Sequence, residues 1–288
     1  MHRPYLNNLI CFNITLQHVR KFHIIVYVYV KGGLLMSTLT IRGGNLNYVV
    51  SGNGPDMILL HGWGQNIEMM KPLADHLQHN FKVYIIDFPG FGMSDEPKEP
   101  WGVEDYALAL REFIEQLNIE NPILLGHSFG CRVAITYASK YPVKQMLLTG
   151  AAGLPSKKSP MYYARVYTFK ALKKLCKIPG LTQYQEALRQ YFGSSDYKNT
   201  SGVMRTTFVK VVNHNVRPML SKLTMPVLLV FGENDDATPL WMGKVMEKEI
   251  PDAGLAVFEG AGHYAYLEQL PRFLRVCDAF FKREDDKK

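Results

Sequence analysis

Cysteine is scarce in this chain. Only Cys11, Cys131, Cys176 and Cys277 occur in 288 residues, far apart and in no Cys-x-x-Cys or Cys/His spacing. That excludes a disulfide-stapled scaffold and a structural zinc site, and fits free thiols in a reducing compartment, so a cytoplasmic location is expected. Acid is missing from two regions. Residues 1–35 hold four cations and no Asp or Glu, and residues 151–222 hold 13 Lys or Arg against only Glu186 and Asp196. Those regions carry +4 and +11 of a total of +7, which leaves −8 for the rest. An acidic body with a basic middle segment and a basic N-terminal tail is not the uniform basic coat of a nucleic-acid binder.

The stretch nearest to a membrane segment, Phe22 to Val30, reads FHIIVYVYV. It falls well short of the ~20 apolar residues that a spanning helix needs, and no small-residue cleavage site follows it. We read Met36 as the start of the working protein and residues 1–35 as an extension outside the fold. A basic interfacial anchor, a signal and an extra strand are the other readings of this run. With 47% hydrophobic and 20% charged residues over its 288 positions, the chain has the composition of a globular protein, and its length fits one large domain or one domain carrying an insertion.

From Ser37 onward the pattern is regular. Leu39 to Arg42 and Leu46 to Val50 alternate around Gly43-Gly44-Asn45, a hairpin signal. Compact apolar runs follow at 57–60, 83–86, 123–125, 146–149 and 227–231, with helical periodicity over 68–79, 104–118 and 131–140. Strand-length apolar runs alternating with amphipathic helices predict an α/β fold, a mostly parallel sheet covered on both faces. Between Gly150 and Leu223 no buried strand is evident. These ~70 residues are too many for a loop in a compact domain, so an inserted helical subdomain is expected over the C-terminal ends of the strands, placed as a lid.

The strongest chemical signal is Gly126-His127-Ser128-Phe129-Gly130, a G-x-S-x-G between a strand and a helix. Small residues permit a sharp turn, which projects the Ser128 hydroxyl over a helix N-terminus that favours developing negative charge. A hydroxyl needs a base. His263, in Gly260-Ala261-Gly262-His263-Tyr264, follows the expected last strand Leu255 to Phe258 and is the candidate. The imidazolium needs a carboxylate behind it. Asp235, just past the strand at 227–231, is preferred over its neighbours Glu233 and Asp236. The glycine-rich turn His61-Gly62-Trp63-Gly64 supplies the remaining element, with the backbone amides of Trp63 and Phe129 as oxyanion donors. The side chains of Trp63, Phe129 and Tyr264 are expected around the substrate, and the turn-rich loop Asp87 to Ser94 is read as structural.

Together HGWG, DFPGFGMSD, GHSFG, GEND with TP behind it, and GAGHYAYLEQ resemble the α/β-hydrolase superfamily, in the family's order and over roughly residues 38–283. The resemblance implies an eight-stranded, mostly parallel sheet formed by residues 36–150 and 223–288, with a helical cap at 151–222 between the sixth and seventh strands. It implies Ser128 as nucleophile, His263 as base and Asp235 as orienting acid, with no cofactor and no metal. Two departures stand out: Cys131 occupies a position where many members have a second glycine, and HGWG lacks the HGxGPG extension of the carbon–carbon bond hydrolases.

A serine nucleophile argues against the epoxide hydrolases and haloalkane dehalogenases, which attack with Asp. Acyl transfer to a small-molecule substrate remains. Hydrolysis of a small carboxylic ester comes first, a carbon–carbon hydrolase of the 2-hydroxy-6-oxo-dienoate type second, and a thioesterase or acyltransferase third. A hydrolase-fold binding protein without catalysis is the alternative from a different class, and the intact Ser, His and Asp set argues against it. The +11 segment reads first as a solvated basic face. The sharper reading is that it draws anionic substrates or an acidic lipid surface to the entrance.

Overall fold

The computed structural model describes residues 29–31, 34–155, 160–178, 180–192 and 195–281. A hairpin opens the main body: β2 (Leu34–Ile41) and β3 (Gly44–Ser51) pair antiparallel, after a short strand β1 (Tyr29–Lys31) on the outer edge of β2. The hairpin turns on Arg42 and Gly43, whose φ values of 49° and 78° are the two positive angles that a tight turn matched to strand twist requires. Gly44 and Asn45, expected in the turn, belong to β3.

Six strands then run parallel. They are β4 (Asp56–Leu60), β5 (Lys82–Ile86), β6 (Ile123–His127), β7 (Gln145–Thr149), β8 (Val227–Gly232) and β9 (Ala253–Phe258). The sheet order is β1-β2-β3-β5-β4-β6-β7-β8-β9. The eight expected strands are β2 to β9, with β1 as a ninth. Residues 29–31 and 34–35 are thus sheet residues, which corrects the boundary drawn at Met36: part of FHIIVYVYV finds an open edge beside β2 and pairs with it. Residues 1–28, including Cys11, lie outside the described residues.

Period-two alternation divides the apolar runs between two layers. Ile58, Leu60, Leu124 and Leu148 face α2 (Val103–Gln116) and α3 (Phe129–Ala138), while Met57, Leu59, Leu125 and Leu147 face α1 (Ile67–Leu77). Both faces are covered, which is why these strands read as continuous apolar runs.

Among the described residues between β7 and β8 there is no strand; the elements are α4 (Pro160–Leu175), a 3-10 helix (Thr182–Tyr184), α5 (Gln185–Phe192), α6 (Ser195–Lys198), α7 (Gly202–Asn213) and α8 (Arg217–Leu220). After β8 come α9 (Leu240–Glu249), α10 (Ala265–Glu268) and α11 (Leu270–Phe280); Phe273 and Cys277 of α11 join the α1 layer. Among the described residues no helix is long and apolar enough to cross a membrane.

Candidate active site

β6 ends at His127, and α3 begins at Phe129. Ser128 alone makes the turn, at φ 50° and ψ −103°, a left-handed conformation uncommon for a side-chain-bearing residue. Two glycines make this bend feasible. A Cβ on Gly130 would lie 2.1 Å from the Leu60 carbonyl oxygen, and one on Gly126 would lie 3.0 Å from the Cys131 nitrogen. The helix therefore sits directly against β4, and its N-terminus points where Ser128 projects.

Three side chains from three loops converge. His263 Nε2 lies 2.9 Å from Ser128 Oγ, and His263 Nδ1 lies 2.8 Å from Asp235 Oδ2. With Nδ1–H donating to the carboxylate, Nε2 is left to accept the serine proton; this tautomer is assigned from the hydrogen bonds. Of the three neighbouring acids, only Asp235 is buried. Its Oδ1 accepts the backbone N–H groups of Ala237 and Thr238 (2.9 and 2.8 Å), and its Oδ2 accepts the Thr238 hydroxyl (2.7 Å). Burial pushes this carboxyl up, but the hydrogen bonds from His263 and Thr238 outweigh it and hold the group below its ordinary value. Glu233 instead accepts the Gly260 amide at 3.0 Å, and Asp236 faces solvent.

The loop bearing His263 is itself tied down. Glu268 accepts the amides on both sides of it, Gly262 N at 2.7 Å and Tyr264 N at 3.2 Å. His127, buried beneath, lies with Nε2 3.1 Å from the His263 carbonyl oxygen and Nδ1 3.3 Å from Gln65 Oε1. Burial, then the nearby His263, push His127 down to about 3, so the ring is neutral and donates to one of these oxygens.

The HGWG turn follows β4. His61 donates from Nδ1 to the Gly62 carbonyl (2.7 Å) and accepts the Phe88 amide at Nε2 (3.0 Å); burial pushes it down to about 4. It is a neutral strut between two loops. Gly62 N–H is taken by Gln65 Oε1 at 2.8 Å. Among the described residues no acceptor takes the N–H of Trp63 or Phe129. Asp87 anchors the neighbouring loop by accepting from Asn47, Ile67 and Met93 (2.8 to 2.9 Å), in keeping with its structural reading.

A strained serine, an imidazole and a carboxylate stand in one hydrogen-bonded row, on the loops after β6, β8 and β9, beside open amides. Residues 55–270, about three quarters of the chain, match the family model for the alpha/beta hydrolase fold. The chain belongs to this family.

Relatives of this α/β hydrolase include a pimeloyl-[acyl-carrier protein] methyl ester esterase of Aliivibrio salmonicida, 24% identical over 84% of this chain and 98% of its own length. An AB hydrolase superfamily protein of Bacillus subtilis is 28% identical over 76% of this chain and 88% of that one. Among solved structures, an esterase from Exiguobacterium antarcticum superposes with a TM-score of 0.68 at 23% identity, covering 85% and 99% of the two chains. At that identity the likeness shows the fold.

The surroundings of the relay depart from expectation in places. Trp63 is half-buried in an aromatic cluster with Phe91, Phe129 and, from cap helix α7, Phe208, at centroid distances of 4.8, 5.5 and 5.2 Å. The Phe129 ring, expected at the substrate, is only 2% exposed and packs on Phe88 and Tyr106; its amide alone remains available. Tyr264 is exposed beside His263, with a centroid distance of 5.5 Å. Tyr167 of α4 is 65% exposed, whereas Phe169, two residues on, packs on Phe192 of α5. The side chains of Tyr162 and Tyr163 lie outside the described ones. Thr238, Gln65 and Glu268 are the supporting residues that sequence reasoning missed. The Asp-x-x-Thr spacing of 235–238 was the one local signal, since a side-chain carboxylate there can accept the amides two and three residues on. Cys131, in the second-glycine position, fits because its thiol is fully buried against the Thr149 carbonyl, and burial pushes its ionisation far up.

Proposed function

We propose that this α/β hydrolase is a serine hydrolase that cleaves a small carboxylic ester through an acyl-enzyme. The observation that carries the reading is the continuous relay Ser128, His263, Asp235, with contacts of 2.9 and 2.8 Å. As the Ser128 oxygen attacks the ester carbonyl, its proton passes to His263 Nε2, and the imidazolium is held by the Asp235 carboxylate. Negative charge gathers on the former carbonyl oxygen, where the amides of Trp63 and Phe129 and the N-terminus of α3 stabilise it. His263 returns the proton to the departing alkoxide. It then takes one from water, and the hydroxide so formed releases the acid and restores Ser128. The methyl ester esterases among the relatives favour an oxygen ester over other acyl compounds. Cys131, Cys176 and Cys277 are free and buried, which supports placing the protein in the cytoplasm.

A fluorophosphonate probe should label the folded protein at one site, Ser128, and a short-chain p-nitrophenyl ester should be turned over faster than a thioester or a dienoate of equal size. Folded protein that takes no label, or equal labelling of Ser128→Ala, refutes the nucleophile. Labelling combined with faster dienoate cleavage would keep the nucleophile and replace the substrate.

A further inference from the structure

The outer part of the cap holds an arrangement that ester chemistry does not require. From the end of α4 the chain descends through consecutive tight turns. Ile178 N–H bonds to the Leu175 carbonyl (3.0 Å), Leu181 N–H to Ile178 (3.0 Å) and Tyr184 N–H to Leu181 (3.1 Å). Gly180, at φ 88°, breaks the segment between two of these turns, and a regular 3-10 helix forms only over Thr182–Tyr184. Along it Leu175, Ile178, Leu181 and Tyr184 are exposed by 52, 51, 39 and 55%. Cys176, between them, faces inward, and its carbonyl accepts the Gln185 side-chain amide at 2.9 Å. These four apolar side chains therefore stand on the surface of one short segment held by backbone hydrogen bonds. Lys173, Lys174 and Lys177 are exposed alongside it, with Lys170 one turn earlier. From Ala151 to Gln185 the sequence has seven Lys or Arg and no Asp or Glu.

Large apolar side chains exposed together on a soluble face mark a contact surface. Three occupants could cover this one, and the charge separates them. A second copy would bring the same lysines face to face, and like charges oppose that pairing. An acidic protein would need pockets shaped to each of these exposed side chains. An anionic bilayer needs no matching shape, since it admits apolar side chains into its interface while lysines reach phosphates from their flexible stems. We propose that the outer cap docks on an anionic lipid surface, with Leu175, Ile178, Leu181 and Tyr184 set among the headgroups and Lys173, Lys174 and Lys177 on the lipid phosphates.

Flotation of the full chain with vesicles tests this. The protein should float with phosphatidylcholine–phosphatidylglycerol vesicles and not with phosphatidylcholine alone. The double variant Ile178→Asp, Leu181→Asp should lower the partition coefficient at least about tenfold. Replacing Lys173, Lys174 and Lys177 by Gln should lower it roughly fivefold per lysine and remove most of its salt dependence. All these side chains are exposed, so circular dichroism melts should match the parent. Folded parent protein that ignores anionic vesicles, or floats equally well with either variant, overturns the proposal. Binding to soluble polyglutamate in place of vesicles would assign the surface to an acidic polypeptide, and a dimer that the double Asp variant dissolves would assign it to a second copy. Both results overturn it too. The readout is lipid partition, so it is independent of whether Ser128 cleaves esters.

Discussion

The two halves of the helical insertion between β7 and β8, the proposed cap, are built on opposite terms. Inner helix α7 buries Met204, Thr207, Phe208 and Val211, and polar bonds fix it to the body. The Thr207 hydroxyl accepts the Trp101 amide at 3.0 Å, Lys210 donates to the Pro100 carbonyl, and Arg132 donates to the carbonyls of Val211 and His214 at 2.9 and 2.8 Å. Arg132 works as a cation placed at a helix C-terminus, where orphan carbonyls and the helix dipole both favour it. Burial pulls its ionisation down to about 10, yet it remains charged at neutral pH. A Cβ on Gly90 would strike the Met204 thioether at 2.4 Å, so body and helix approach at that point as closely as a bare backbone permits. Outer helices α4 and α5 show the reverse, with Met161, Tyr167 and Leu175 of α4 and Tyr191 of α5 exposed. Packing and backbone bonds make α7 part of the catalytic body, whereas α4 and α5 present a surface.

The largest effect should come from outside the cap and serves as the reference. Ser128→Ala should reduce ester turnover by about 10⁴-fold or more while leaving the melting temperature close to the parent's. Next, Phe208→Ala should cost about 3 kcal/mol of stability in urea titration and raise KM, because it removes a ring that covers Trp63. A cost below 0.5 kcal/mol would erase the distinction between the halves. Arg132→Met should destabilise by about 2 kcal/mol through its lost charged hydrogen bonds and raise KM more than it lowers kcat. At the small end, Tyr167→Ser in α4 should change stability by no more than about 0.5 kcal/mol and leave ester kinetics unchanged.

Acid should divide the body in a different way. His61 and His127 are held neutral, with folded values pushed down to about 4 and 3 by burial, against ~6.5 in the unfolded chain. A lowered histidine contributes stability that is full above the unfolded value and is lost as pH falls. Stability should therefore drop by about 1.4 kcal/mol per pH unit for each of the two histidines between pH 6 and 4. Asp235, also lowered, contributes above the usual carboxylate range and loses its share at more acid pH. Unfolding midpoints of a His127→Asn variant should show a slope smaller by one proton; an unchanged slope would mean that His127 is charged in the fold.

Much of this was legible in the chain because it depends on local order. Each buried strand is a short apolar run, and the Ser128 turn needs its two glycines in fixed register. His263 and Asp235 follow strands whose ends the sequence marks. What escaped depends on distant pairing. Phe208 reaches Trp63 across 145 positions, and no periodicity within α7 says which of its apolar residues will cover the site. Tyr167 and Phe169 are two residues apart on one helix, and only the packing of α4 on α5 decides that the second turns inward. β1 was ambiguous for a related reason: an apolar β-branched run is equally a strand or an anchor until an edge is available to receive it.

The relay spans a long stretch of chain, with Ser128 and His263 separated by 135 positions. A ribosome delivers the first strands, the serine turn and the entire cap before it delivers the base. By the proposed mechanism the serine hydroxyl has no partner to take its proton through that interval, and the nascent chain is expected to be inert toward esters. By the proposed mechanism activity requires β8 and β9 to be in place, so the onset of ester hydrolysis should report that the last strands have docked.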